Sequence, residues 1–185
     1  IMIGWLGAAQ LAAHQIALNL ASVSYMIILG VSSAGTIRVA EAYGRKNVTE
    51  LRRSGFMTLL LGASFMLVSA VTFFIFNNEL PQLYISDVET IGPASILIVI
   101  AGFFQIFDGI QACGLGILRG IKDVKIPMFA TFFSYWVIGL PIGYFFGFQL
   151  EMQSAGIWIG LSISLLLIAS LFVYRFQTHS KSVLI

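Results

Sequence analysis

Residues Ile91–Leu118, IGPASILIVIAGFFQIFDGIQACGLGIL, carry one formal charge, Asp108. Everything else in the stretch is apolar, small or uncharged polar, and it exceeds the roughly 20 residues that cross a bilayer as a helix. An Asp near the centre of such a helix costs about 2.5–3.5 kcal/mol on insertion scales. Carboxylates kept at that depth mark ion sites, proton relays or ligand counter-ions. The stretch therefore predicts a membrane helix and makes Asp108 the candidate functional residue.

The same balance runs through all 185 residues, which are 58% hydrophobic and 10% charged, with mean hydropathy +0.94. A soluble domain carries about 25% charged residues, so this chain cannot build a water-facing surface and must meet lipid. The single cysteine, Cys113, excludes an intrachain disulfide. The basic residues are scattered, without an aromatic platform among them, so no nucleic-acid partner is expected. The sequence opens at Ile1 inside apolar residues, with neither the basic n-region nor the cleavage site of a signal peptide. The expectation is a fragment of a longer protein, cut within a membrane segment.

Further charge-free stretches long enough to span are Phe56–Phe76, Ile126–Leu150 and Met152–Tyr174. The first stretch, Ile1–Ile37, would run about 55 Å as one helix, too long for a core about 30 Å thick. It should break near Gly4–Gly7. The predicted fold is all-α: a polytopic membrane bundle of five complete transmembrane helices plus the end of a sixth. One lobe covers 1–185, with the remnant at 1–6 and helices near 12–40, 55–76, 91–118, 126–148 and 153–175.

Charge sets the orientation. Arg38, Arg45, Lys46, Arg52, Arg53, Arg119, Lys122, Lys125, Arg175 and Lys181 are all ten basic residues, and alternate loops place them at one end. The opposite loops hold Glu79, Asp87, Glu89 and Glu151. The positive-inside rule puts the basic end and the C-terminus in the cytoplasm, which for a bacterial inner membrane is the plasma membrane's inner side. Pro127 and Pro93 are expected in first helical turns, where a missing N–H costs nothing. Pro141 lies inside a span and should kink it or free a carbonyl. GxxxG spacings at Gly116/Gly120, Gly139/Gly143, Gly143/Gly147 and Gly156/Gly160 predict close helix contacts.

Around Asp108, Ser95, Gly102, Gly109 and Gly116 recur every seventh residue, with Gln105 beside them and Gln111 one turn beyond. This small, polar face should turn toward protein or a water-filled cavity. Phe104, one turn before Asp108, could set a ring near a bound cation. A second stripe, Gln15, Asn19, Ser22, Met26, Gly30 and Ser33, shares one face of the first full helix. Its amides offer oxygens to a ligand or hydrogen bonds to a neighbouring helix. His14 sits near the outer end of that helix. Apolar surroundings penalise the charged form of Asp108, and an arriving H⁺ or Na⁺ relieves the penalty.

Ala12-Ala13-His14-Gln15-Ile16-Ala17, with Thr36-Ile37-Arg38-Val39 and Gly44, resembles the eighth helix of multidrug and toxic compound extrusion (MATE) transporters. Phe104-Gln105-Ile106-Phe107-Asp108-Gly109-Ile110-Gln111, with Gly116-Ile117-Leu118-Arg119-Gly120 and Asp123, resembles the tenth helix and its exit. The resemblance covers nearly the whole chain. It implies a two-lobe, twelve-helix transporter, of which this chain is the C-terminal lobe from the end of helix seven onward. It implies export of cationic, amphipathic drugs against inward H⁺ or Na⁺, with no cofactor beyond the coupling ion and no enzyme activity. Asp108 matches the family's helix-ten cation-binding acid, and Gln15 a polar position on helix eight near the cavity. The family's helix-seven Glu would precede Ile1, and the N-terminal lobe is the expected partner. A lipid-linked oligosaccharide flippase of the same superfamily would want cationic residues at mid-membrane, where this sequence has none. An intramembrane enzyme would want an acid pair, a metal cluster or a Ser/His pair. A structural subunit that transports nothing is the remaining alternative.

Overall fold

Gly7 opens the first long helix. Its φ of +101° with ψ of 171° suits only glycine, and it separates a short 3-10 turn, Met2–Leu6, from α1, Ala8–Gly44. The computed structural model describes residues 2–182, so Ile1 of the expected remnant lies outside the described residues. The remaining helices are α2, Val48–Ile75; a single turn α3, Glu79–Gln82; α4, Val88–Gly120; α5, Lys125–Gln149; and α6, Gln153–Ser182. Five of these six helices, all but α3, are long and apolar enough to cross a membrane, and the described residues contain no strand. The all-α membrane bundle is therefore the fold.

The helices outrun the charge-free stretches because backbone hydrogen bonding continues into the polar turns beyond hydrocarbon. Side-chain caps then stop them. Asn47 accepts from the Glu50 N–H at 3.0 Å and starts α2. Asp87 starts α4, accepting from the Glu89 N–H at 3.4 Å and from the Thr90 hydroxyl at 2.8 Å. That early start corrects the expectation for Pro93. The proline lies inside α4 rather than in its first turn, and it leaves the exposed Glu89 without an i+4 amide donor. Pro127 does fall in the first turn of α5.

Pro141 widens its helix instead of simply bending it. A π-helical stretch, Ser134–Gly139, precedes it, and a second, Phe145–Gln149, follows the short α-helical turn Leu140–Tyr144. The Leu140 N–H reaches back five residues to the Tyr135 carbonyl. The wider turn gives the proline ring room past the carbonyl four residues earlier.

α4 is central, packed on α1, α2 and α6, while α5 leans on α6. Glycine makes those approaches close. α2 and α4 meet at Gly62 and Gly109, where a Cβ on Gly109 would stand 3.4 Å from the Gly62 carbonyl oxygen. A Cβ on Gly120 would stand 2.9 Å from the Thr36 carbonyl oxygen of α1. On the α5–α6 side, a Cβ on Gly160 would strike the Gly143 backbone, and one on Gly156 would strike Phe146 and Gly147. Between lipid-bathed helices such contact supplies the attraction that water supplies elsewhere. Side-chain bonds add to it: Ser32 donates to the Ala112 carbonyl and Ser134 to the Ser164 carbonyl, both at 2.7 Å.

Two buried clusters fill the bundle. One, with Met66, Ile117, Phe172 and Phe176, lies toward the basic end. The other, with Ile16, Phe73, Leu97 and Trp158, lies toward the acidic end. At the basic end Arg175 forks onto Asp123, with Nε donating at 2.5 Å and Nη2 at 3.0 Å, and ties α6 to the α4–α5 loop. Asp123 is buried there.

Gly160→Val should destabilise the bundle by about 1–3 kcal/mol through overpacking, read by chemical unfolding in detergent. Gly92→Ala, where an added Cβ meets nothing within 4 Å, is the control and should stay near wild type. Asp123→Ala should cost about 1–3 kcal/mol, and Arg175→Ala on that background little more. Fully additive losses in that double-mutant cycle would show that the two side chains are not coupled.

Candidate functional site

Asp108 sits on α4 about 18 Å along the axis from Gly120, well inside the apolar span. It is half-buried and makes no hydrogen bond or ion pair among the described residues. The polar atoms that are both sealed in and unpartnered lie elsewhere, on Gln105 Nε2 and Arg52 Nε. The Asp108 carboxylate is thus unpaired but not enclosed.

Two phenols share its surroundings. Tyr25 of α1 and Tyr135 of α5 are each within electrostatic reach of Asp108 and of one another. Both are half-buried. Side chains of three helices, α1, α4 and α5, are therefore within electrostatic reach of one another, although α5 otherwise leans on α6. Arg119, at the basic end of α4, is within electrostatic reach of Tyr25. One turn toward the acidic end, the half-buried Phe104 ring lies 5.7 Å from Trp158. The Trp158 indole N–H donates to His14 Nδ1 at 3.0 Å, with the rings edge to face at 5.8 Å. That bond leaves the neutral His14 proton on Nε2. An aromatic wall thus runs from His14 to the turn above Asp108.

The other candidate residues go elsewhere. Gln105 is 1% exposed and faces α1 and α2, where Ser69 donates to its Oε1 at 2.9 Å and Ser24 and Ser69 share a hydrogen bond of 2.6 Å. It belongs to an interhelical chain of polar groups and makes no hydrogen bond to Asp108. Gln111 is buried one turn toward the basic end. Gln15 and Asn19 are exposed on α1, and Asn19 accepts from the Tyr84 hydroxyl at 2.8 Å. Ser22 and Ser33 donate to carbonyls of their own helix. The polar stripe of α1 is one open face, and Tyr25, about a quarter turn away from it, is the α1 residue near Asp108.

The spacing of polar residues on α1 drew attention to the stripe and away from Tyr25. A tyrosine in the middle of a membrane span was the available signal, since its hydroxyl wants a partner there. For Tyr135 the sequence offers the same residue type without its direction. Its direction depends on a π-helical stretch that no apolar periodicity announces. Among the described residues no group of three or more His, Cys, Asp or Glu side chains could hold a metal ion.

The MatE family profile matches residues 1–145. The multidrug resistance protein NorM of Burkholderia vietnamiensis is 39% identical over 189 residues, covering 100% of this chain and 41% of that protein. A probable multidrug resistance protein NorM of Burkholderia pseudomallei (strain K96243) is 40% identical over 187 residues, covering 98% of this chain and 40% of its own. The chain thus spans about 40% of the length of these curated relatives. Among solved structures, the eukaryotic MATE transporter AtDTX14 superposes with a TM-score of 0.82 at 20% identity, over 93% of this chain and 40% of that one. An inward-facing multidrug resistance MATE family transporter of the MOP superfamily gives 0.81 at 18% identity, over 94% and 40%. At those identities the two structures speak for the fold alone. The family match and the NorM relatives, taken with a bundle of five apolar helices around α4, place this chain in the MatE family of membrane transporters.

Proposed function

We propose that the chain is one lobe of a secondary antiporter that exports cationic or amphipathic drugs in exchange for inward H⁺ or Na⁺. Asp108 is the cation-binding carboxylate. The observation that carries this reading is its unpaired, accessible state inside an apolar span, beside Tyr25 and Tyr135. A structural acid would take a hydrogen bond, as Gln105 does from Ser69. An acid awaiting a mobile cation is left open.

The chemistry follows from charge. An arriving H⁺ or Na⁺ neutralises Asp108 and removes the cost of a bare carboxylate in low dielectric. Tyrosine oxygens can complete the shell of a hard cation such as Na⁺, and aromatic faces such as Phe104 can attract an organic one. Ion and drug compete for one region of negative potential. Exchange requires that outward-open and inward-open states favour different occupants, since a ligand shifts a conformation only by its differential affinity. In this reading the basic end is cytoplasmic, the membrane is the plasma membrane, and a second lobe completes the cavity. Gln15, Asn19 and the open stripe of α1 would face that cavity, while Gln105 and Gln111 support α4 from within.

Asp108→Asn in the complete transporter should cut ion-driven drug efflux at least about 10-fold and abolish its dependence on the ion gradient. Efflux and ion dependence both at wild-type levels would defeat the proposal. Tyr135→Phe should weaken ion binding about 10-fold, the loss of one hydrogen-bond-strength contact to a charge, in an ion titration followed by tryptophan fluorescence. Tyr144→Phe, whose ring stacks on Phe148 at the other end of α5, should bind the ion as wild type does.

A further inference from the structure

Between α1 and α2, at the basic end, lies a cleft of about 530 Å³ that the exchange reaction does not use. Its inner reach is apolar, with Val31, Met57 and Leu61, and its mouth carries Arg38 and Arg53. We propose that this cleft binds an anionic phospholipid, with the phosphate on Arg38 and Arg53 and an acyl chain along the apolar groove.

Small residues make the groove. Gly35 lets α1 lie directly against Thr58 of α2, so closely that a Cβ at Gly35 would strike the threonine side chain. The two helices touch there along the floor, and Ala34 and Ser54 leave space above it. From Arg53 to Leu61 the groove runs about 12 Å along α2, enough for the upper part of an acyl chain.

The charge at the mouth is uncommitted. Arg38 and Arg53 are exposed and form no ion pair among the described residues. Glu50 also lines the cleft, but it already has Arg45 at 3.9 Å and the Asn47 amide at 3.4 Å. Arg45 additionally pairs with Glu41. The two cleft arginines thus remain without an acid of their own, at the end that the positive-inside rule sets against the anionic cytoplasmic leaflet. Guanidinium groups suit phosphate because they present paired donors. A free phosphate would use the mouth alone and leave the apolar groove empty, whereas a phospholipid fills both.

Native mass spectrometry of the complete transporter, with phosphatidylglycerol or phosphatidylcholine of the same acyl chains, tests this. Each basic group contributes about 5-fold, so wild type should prefer phosphatidylglycerol by about 25-fold. The double variant Arg38→Gln/Arg53→Gln should lose that preference, and Lys125→Gln, equally basic-ended but outside the cleft, should keep it. Ala34→Leu, which fills the groove without touching charge, should lower phosphatidylglycerol binding while leaving the fold intact. Equal binding of the two lipids, or a preference that survives the double arginine variant, overturns the proposal. Competition by inorganic phosphate at equal strength assigns the arginines to a free anion and also overturns it. So does protection of Ala34→Cys from a thiol reagent in lipid-free detergent, which would show protein covering the cleft.

Discussion

A carboxylate held in hydrocarbon must take a proton, find a fixed counter-charge or accept a mobile cation. Asp108 has no fixed counter-charge among the described residues. Its neighbours are phenols, which can turn an oxygen toward a cation or a proton toward a carboxylate. That flexibility separates an exchange site from a structural ion pair. Arg175 and Asp123 show the contrast within the same chain: their fork is geometrically complete, ties α6 to a loop and leaves nothing for a ligand to do.

Keeping an acid unpaired requires that nothing collapse onto it. Apolar side chains gain little by leaving lipid for one another, so the bundle gets its rigidity from backbone proximity. Gly62 against Gly109 fixes α2 to α4 at the level of Asp108. Serine hydroxyls bridge the same helices through Ser24, Ser69 and Gln105. The seven-residue run of small residues on α4 is thus a packing seam. Gly102 meets Phe74, Gly109 meets Met66, and Gly116 meets Ser32 and Thr36. The acid stands beside the seam and is held in place by it.

The fold was legible because a membrane span is written in one dimension. Charge-free length, the alternation of basic and acidic loops, and the glycine spacings on α5 and α6 all concern sequence alone. Asp108 was legible for the same reason, as the one formal charge in such a stretch. What escaped depends on direction. Gln105 lies three residues from Asp108 and shares its apparent face, yet the net offset of about 60° is enough to seat it on Ser69 between α1 and α2. Tyr25 lies off the stripe of α1 that looked most polar, since a stripe exposed in this lobe need not be the face that meets α4. Pro93 lies deeper in the helix than expected because the Asp87 cap, four residues before the apolar run begins, starts the helix early.

The π-helical stretches of α5 connect these points. An α-helix cannot carry Pro141 through its middle without losing a hydrogen bond and clashing with a carbonyl, and the wider turn before it relieves the clash. That turn begins at Ser134, whose hydroxyl is anchored on the Ser164 carbonyl, and it closes with the Leu140 N–H on the Tyr135 carbonyl. Tyr135, within electrostatic reach of the acid, therefore lies in the stretch where α5 departs from α-helical geometry. α5 is also the span that rests on a single long neighbour, α6, through glycines that permit sliding contact. A helix with two widened turns, packed mainly on one long neighbour, carries one of the two phenols. In the proposed exchange, a change in the charge state of Asp108 alters the pull on Tyr135. The bonds available to absorb the response are the five-residue ones on either side of Pro141. The rigid contact of α4 with α1 and α2 would keep Tyr25 and Asp108 together while Tyr135 moves, so the site would open along α5.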